Sequence, residues 1–75
     1  MYLQLYQIKK HLNIDDDFKD DDEYLMDLGY AAELSVQKSI DKNLSELEDG
    51  DGMIPSPLIR AALFLVGTWY ADRES

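Results

Sequence analysis

The acidic side chains between Asp15 and Glu23 come closest, by type and spacing, to a set that could bind a metal ion. The stretch DDDFKDDDE holds seven acids and one lysine, which is six of the nine net negative charges of the chain. EF-hand calcium loops need acids at alternating positions, glycine at the sixth and glutamate at the twelfth. Counted from Asp15, these positions hold Asp20 and Met26. We therefore predict no metal site, and interpret the run as a solvated loop whose acids favour the start of a following helix.

Catalytic chemistry is equally poorly supported. His11 is the only histidine, and neither a cysteine nor a suitably spaced acid stands beside it. We predict that it lies on the surface of the first helix. General acid–base catalysis needs a carboxyl group with a raised pKa inside a walled cleft, whereas the acids here crowd into one hydrated loop. We predict no catalytic residues, no cofactor and no enzymatic activity.

Chain length and net charge limit which classes of protein remain possible. A chain of 75 residues makes one domain and buries only about 60% of the surface that its unfolded form exposes. It has no cysteine and a net charge of −9. The first property suits a reducing compartment, and the second repels phosphate backbones and anionic lipid. No apolar run reaches the length of about 18 residues that a membrane span needs. We expect a soluble intracellular protein without sequence-specific nucleic-acid binding or membrane contact.

Hydrophobic spacing predicts an all-α fold, a small bundle of three main helices that are short, long and long. The first covers residues 4–12, and Asn13 ends it. An acidic loop follows. The second helix is predicted to start near Asp20, because Glu23, three residues on, completes a capping-box pattern, and to end near Asn43. Its buried stripe comprises Leu25, Leu28, Ala32, Val36 and Ile40. Gly29 lies inside this helix at a cost of about 1 kcal/mol relative to Ala, which a close helix crossing would explain.

The third helix follows a glycine-containing loop over residues 44–54, which holds at most one helical turn. Ser56 is predicted to cap it and Pro57 to occupy its first position. From there it continues to Arg73, broken by no residue except Gly67. We treat residues 1–75 as a single helical domain.

This last helix is apolar around most of its circumference. One stripe comprises Leu58, Ala61, Ala62, Leu65 and Trp69, and a second comprises Ile59, Leu63, Val66 and Tyr70. A surface helix of a small domain needs one apolar stripe, and an uncovered second stripe favours a partner. We assign Leu58, Ala62, Leu65 and Trp69 to the core, while a mixed core and interface role for Trp69 stays open. We assign Ile59, Leu63, Val66, Tyr70 and Arg73 to a subunit or partner interface.

Three parts of the sequence together resemble a known family. They are the run from Ile8 to Asp15, the positions Leu25, Leu28, Ala32 and Val36, and the closing segment with Pro57-Leu58, Ala61, Leu65, Val66, Trp69-Tyr70 and Arg73-Glu74. This pattern is similar to that of the head–tail connector proteins of tailed bacteriophages, the small head-completion adaptors. The closing helix is its most specific part.

The resemblance implies a structural virion protein at the head–tail junction that has no catalytic residues. Such a subunit would assemble with copies of itself into a closed ring, of about twelve copies. The ring would dock beneath the portal protein after DNA packaging and receive the next connector or tail component. Similar proteins usually continue beyond the Arg-Glu pair, whereas this chain stops at Ser75. We therefore expect a shortened version that lacks the tail contacts.

A small acidic binding module, antitoxin-like or a DNA-mimic inhibitor, is the alternative. It accounts for the charge of −9. It accounts less well for the apolar closing helix, and the acids cluster in one loop instead of following a face.

Overall fold

The computed structural model describes residues 1–73, and this part of the chain is helical without strands. Its α-helices are α1 (Leu5–Leu12), α2 (Asp22–Ile40) and α3 (Ser56–Asp72), and a short 3₁₀ helix (Leu44–Leu47) lies between the last two. The helices α2 and α3 run antiparallel, because Asp21 before α2 contacts Arg73 after α3. Helix α1 packs against both. The predicted all-α bundle of one short and two long helices is confirmed.

The ends of the helices follow the sequence signals only in part. Asn13 adopts a left-handed conformation with φ 59° and ends α1 as predicted. At the end of α2 the same role falls to Asp41, with φ 58°, two residues before Asn43. Both residue types tolerate this conformation. Ser56 lies inside α3 and Pro55 occupies the cap position, so the predicted capping by the Ser56 side chain is wrong.

The start of α2 departs from the predicted capping box. The cap residue is Asp21, not Asp20, and its side chain makes no capping hydrogen bond. Asp21 instead accepts a hydrogen bond from Arg73, and Asp22 pairs with Lys9. These carboxylates are therefore used for contacts between elements, which a local capping rule cannot anticipate.

The core lies where the three α-helices meet, and Leu3, Leu44 of the 3₁₀ helix and Ile54 close it. Its buried apolar residues are Leu3, Ile8, Leu25, Ala32, Val36, Leu44, Ile54, Ala62 and Val66. The other predicted core positions, Leu28, Ile40, Leu58, Leu65 and Trp69, are half-buried and pack against that cluster. The assignment of Val66 to an interface is wrong for this protomer, because its side chain is 0% exposed and lies at the centre of the core.

Two glycines permit α1 to approach the longer helices closely. A Cβ atom at Gly29 in α2 would lie 2.9 Å from Cδ1 of Ile8, and one at Gly67 in α3 would lie 3.2 Å from Nε2 of His11. The close crossing expected at Gly29 is confirmed. His11 itself is exposed, as predicted.

Glu33, a buried carboxylate in α2, fastens the N-terminal segment. Its oxygens accept hydrogen bonds from the backbone N–H groups of Tyr2, at 2.9 Å, and Leu3, at 2.7 Å. The Tyr2 hydroxyl donates to Glu48, which raises the pKa of that hydroxyl because the carboxylate holds its proton. One carboxylate therefore positions the segment before α1, and the tyrosine connects that segment to the loop before α3.

Replacing Glu33 with Gln is expected to lower the free energy of unfolding by about 1–3 kcal/mol. The Gln oxygen can keep the two hydrogen bonds that Oε2 accepts from Tyr2 and Leu3, but its NH₂ group then faces the Tyr2 N–H that donates to Oε1 at 3.1 Å. The negative charge that strengthens these bonds is also lost. Urea denaturation followed by circular dichroism measures this change. Asp27→Asn, at an exposed position of the same helix, should alter stability by less than about 0.5 kcal/mol. Equal losses in the two variants would contradict the role of Glu33.

Candidate assembly surface

The outward face of α3 is centred on Phe64, whose side chain is 70% exposed. On the opposite side of the helix, Ala62 and Val66 are 1% and 0% exposed. Phe64 precedes Val66 by two residues, which places it about 200° away around the helix axis. The buried line of α3 therefore runs between the two predicted stripes, and the uncovered face contains Phe64, which belongs to neither stripe, beside Ala61 from the first. Sequence reasoning did not assign Phe64 to any face.

An apolar groove lies beside Phe64, between the C-terminal half of α2 and the N-terminal half of α3. We call it the α2–α3 groove. It encloses about 310 Å³ and is lined by Val36, Ser39, Ile40, Leu58, Ala61, Phe64 and Leu65. Ser39 is the only polar residue among them. Several residues predicted for the core, Ile40, Leu58 and Leu65 among them, thus also form the wall of an open surface.

The predicted interface residues divide between two environments. Ile59 and Leu63 are half-buried on the flank of α3 that faces α1. Leu63 lines a shallow depression there, together with Tyr6, Gln7, Lys10 and His11. Tyr70 and Arg73 lie at the other end of α3, against the acidic loop. The structure therefore does not bring the predicted interface residues together into one exposed stripe.

Arg73 connects the end of α3 to the start of α2 within the protomer. Its guanidinium donates a hydrogen bond to Asp21 at 2.9 Å. The same group lies 4.5 Å from the ring centre of Tyr70 and 4.9 Å from that of Tyr24. This geometry combines a cation–π contact with an ion pair. The Arg73 side chain thus closes its own bundle, and its predicted interface role stays a prediction.

The acidic loop is organised by Lys9, a lysine that is only 2% exposed. Its ammonium group donates hydrogen bonds to the carbonyl oxygens of Phe18, at 2.6 Å, and Asp16, at 3.2 Å. It also pairs with a carboxylate oxygen of Asp22 at 2.8 Å. The backbone on both sides of Asp17 is therefore held in place, although the loop is highly charged.

The sequence contains a signal for the burial of Lys9. Lys9 follows Leu5 by four residues and precedes Leu12 by three. This spacing places it on the same face as the apolar residues of α1. Lys9 also lies near the C-terminal end of α1, where the helix dipole favours a cation whether or not it is buried. Asp15, Asp16, Asp17 and Asp20 remain exposed, as does Phe18, which is 43% exposed.

Lys9→Met is expected to reduce the free energy of unfolding by about 2–4 kcal/mol, since it leaves a partly buried carboxylate without its cation. The amide hydrogens of Phe18 and Asp22, which donate to carbonyls within the loop, should exchange faster with solvent. Hydrogen exchange measured by NMR tests this local effect. Lys10→Met, at an exposed neighbouring position, serves as the control and should leave both amides protected. Unchanged exchange in Lys9→Met would exclude the anchoring role.

Neither a metal centre nor a membrane-spanning helix emerges from the described residues. Within residues 1–73, no three histidine or acidic side chains converge closely enough to hold a metal ion. No helix in this part of the chain combines the length and the apolar character needed to cross a membrane. What the surface offers chemically is an apolar groove with an exposed aromatic ring on one side and a rigid acidic loop elsewhere.

Comparison with known proteins gives a family match. A family model described as "Phage gp6-like head-tail connector protein" matches residues 2–75, which includes the whole described bundle. Glu74, part of the closing pattern noted in the sequence, lies within this match but outside the described residues. No curated protein sequence and no solved structure matches the chain significantly.

Proposed function

Because the chain belongs to the phage gp6-like head-tail connector family, we propose that it forms a ring with copies of itself where the head of a tailed phage joins the tail. The ring would dock beneath the portal protein once DNA is packaged and would receive the next connector or tail component. A ring of about twelve copies is the form that we expect. The protein is then a structural part of the virion and acts through its surfaces.

The exposed apolar face of α3 is the observation that supports this proposal. Single exposed apolar side chains are common on monomers and need no explanation. Here Phe64 is 70% exposed and lines a groove together with five other apolar residues. Continuous apolar surface of this kind marks sites that become buried on association. We therefore centre the proposed subunit contact on Phe64 and the α2–α3 groove.

The flank of α3 that carries Ile59 and Leu63 is a secondary part of the proposed contact. Both residues keep some exposure, and Leu63 adjoins Tyr6, whose ring is 62% exposed. A ring subunit needs two different faces, one for each neighbour. The α1 flank and the groove lie on different sides of α3, so the helix offers apolar surface in two directions.

Phe64→Asp is expected to weaken self-association by at least about tenfold, because it places a charge in the proposed contact. The fold should survive, since the native ring is mostly exposed. Native mass spectrometry and negative-stain imaging over a range of protein concentrations measure the oligomer. The wild type should give rings or other concentration-dependent oligomers.

Leu34→Asp is the matched control, because Leu34 is 49% exposed and does not line the α2–α3 groove. It should assemble as the wild type does. Equal assembly by Phe64→Asp and Leu34→Asp would exclude the Phe64 face as the contact. A wild-type chain that stays monomeric at all concentrations and instead captures a basic protein would favour the acidic binding module.

A further inference from the structure

The exposed Phe18 in the acidic loop and the α2–α3 groove form a complementary pair of surfaces. We propose that Phe18 of one copy inserts into the α2–α3 groove of the next copy, while acids of its loop face Arg60 beside that groove. This inference rests on the proposed function, since it names the two faces that would meet between neighbours in the ring.

Phe18 has the properties of an anchor residue. Its ring is 43% exposed although it is aromatic, and its own carbonyl oxygen accepts a 2.6 Å hydrogen bond from the buried Lys9. Its backbone N–H donates to Asp15 within a turn. The side chain is therefore presented from a backbone that is already ordered. Preorganisation of this kind reduces the entropy lost on binding.

The groove has the composition expected for receiving an aromatic ring. Its wall contains six apolar residues and one serine around a space of about 310 Å³. Phe64 on its edge provides an exposed ring against which a second aromatic can pack. Aromatic pairs contribute beyond the area that they bury, and aromatic anchors in apolar pockets dominate many interfaces.

The net exposed charges around Phe18 and beside the groove have opposite signs. Around Phe18 the exposed residues are four acids, Asp15, Asp16, Asp17 and Asp20, and one cation, Lys19. Beside the groove, Arg60 is exposed on the turn of α3 that carries Phe64. Lys38 and Lys42 are exposed near the end of α2, where they line a separate depression together with Asp41 and Glu46. Opposite charges on meeting faces orient two molecules and exclude wrong arrangements.

The two surfaces cannot meet within one copy. Phe18 precedes the first residue of α2, and the groove lies beside the last two turns of that helix. The groove residues of α2, Val36 to Ile40, lie roughly 21–27 Å along the helix from Asp22, its first residue, at about 1.5 Å per residue. The contact must therefore join different copies, so that the Phe18 loop of one copy meets the α2–α3 groove of the next. Such a contact leaves one anchor and one groove free at the ends of a row, and it closes into a ring when the rotation permits.

Two variants with separate defects test this arrangement. Phe18→Asp removes the anchor and keeps the groove, whereas Ala61→Glu keeps the anchor and places a carboxylate in the groove. Ala61 is exposed, so the second change should leave the fold intact, which circular dichroism verifies. Each variant alone is expected to associate at least about tenfold more weakly than the wild type. An equimolar mixture should form one-to-one dimers and nothing larger, because a single intact contact remains. Phe18→Leu, which keeps an apolar side chain, should retain most of the assembly.

Disulfide trapping supplies a measurement that is independent of affinity. The chain has no cysteine, so a mixture of Asp17→Cys and Ser39→Cys proteins can form only the intended cross-link or two homodimers. Asp17 adjoins Phe18 and Ser39 lines the groove. We expect the mixed dimer to form at least about tenfold faster than with Ser45→Cys, an exposed serine in the 3₁₀ helix that does not line the groove.

The outcomes separate this inference from the proposed function. If the wild type assembles and Phe18→Asp assembles equally well, the Phe18 contact is wrong while the ring remains supported. If the wild type stays monomeric, the cross-linking rates decide. A faster reaction of residue 17 with residue 39 than with residue 45 supports the contact, and equal rates overturn it.

Discussion

The packing of α3 along Ala62 and Val66 determines which part of this helix its own chain can cover. Helix α2 lies against one flank, and α1 approaches the other so closely that His11 is 3.2 Å from the position of a Cβ atom on Gly67. With both flanks occupied, the residues described contain no fourth long element that could cover the remaining side. Phe64 therefore faces solvent because the bundle has too few helices to cover it. The apolar surface that the proposed ring would bury has the same cause.

Two buried charges fix the segments that helix packing does not reach. Glu33 accepts the backbone N–H groups of the N-terminal segment, and Lys9 donates to the carbonyl oxygens of the acidic loop. A buried charge is costly unless its partners are complete, so each of them demands one arrangement of the segment that it holds. The chain has no cysteine and therefore no disulfides. These charged contacts hold in place the segments that bury little apolar surface. The loop that carries Phe18 is ordered for this reason.

The spacing of apolar residues predicted the helices well, because it depends on which residues within one helix are buried. Helix α1 was expected at residues 4–12 and lies at Leu5–Leu12, and the third helix was expected from Pro57 to Arg73 and lies at Ser56–Asp72. The family resemblance, which drew on positions along the whole chain, agrees with the match over residues 2–75. The start of α2 was predicted to within two residues, but its capping box was wrong because Asp21 accepts a hydrogen bond from Arg73, 52 residues away. A rule that considers only neighbouring residues cannot predict that contact.

The exposed face of α3 could not be chosen from the sequence for a related reason. Both predicted stripes are apolar, and their rotation relative to the core depends on where α1 and α2 lie. The midline of the buried face of α3 falls between the two stripes. Val66 is therefore buried, while Phe64, which belongs to neither stripe, is exposed. The sequence indicated that the helix carries more apolar surface than a small body can enclose. Only the packing shows which residues make up the excess.

The uneven charge of the chain affects how copies can meet. Each copy carries a net charge of −9, so two copies that approach with their acidic loops together repel each other. An approach that places the acidic loop of one copy near the exposed Arg60 of another replaces part of that repulsion with attraction. At physiological salt, with a Debye length of about 8 Å, repulsion between more distant loops is largely screened, whereas charges in contact are screened less. The charge distribution therefore disfavours symmetric pairing through the acidic loops and favours the head-to-tail order that a closed ring requires.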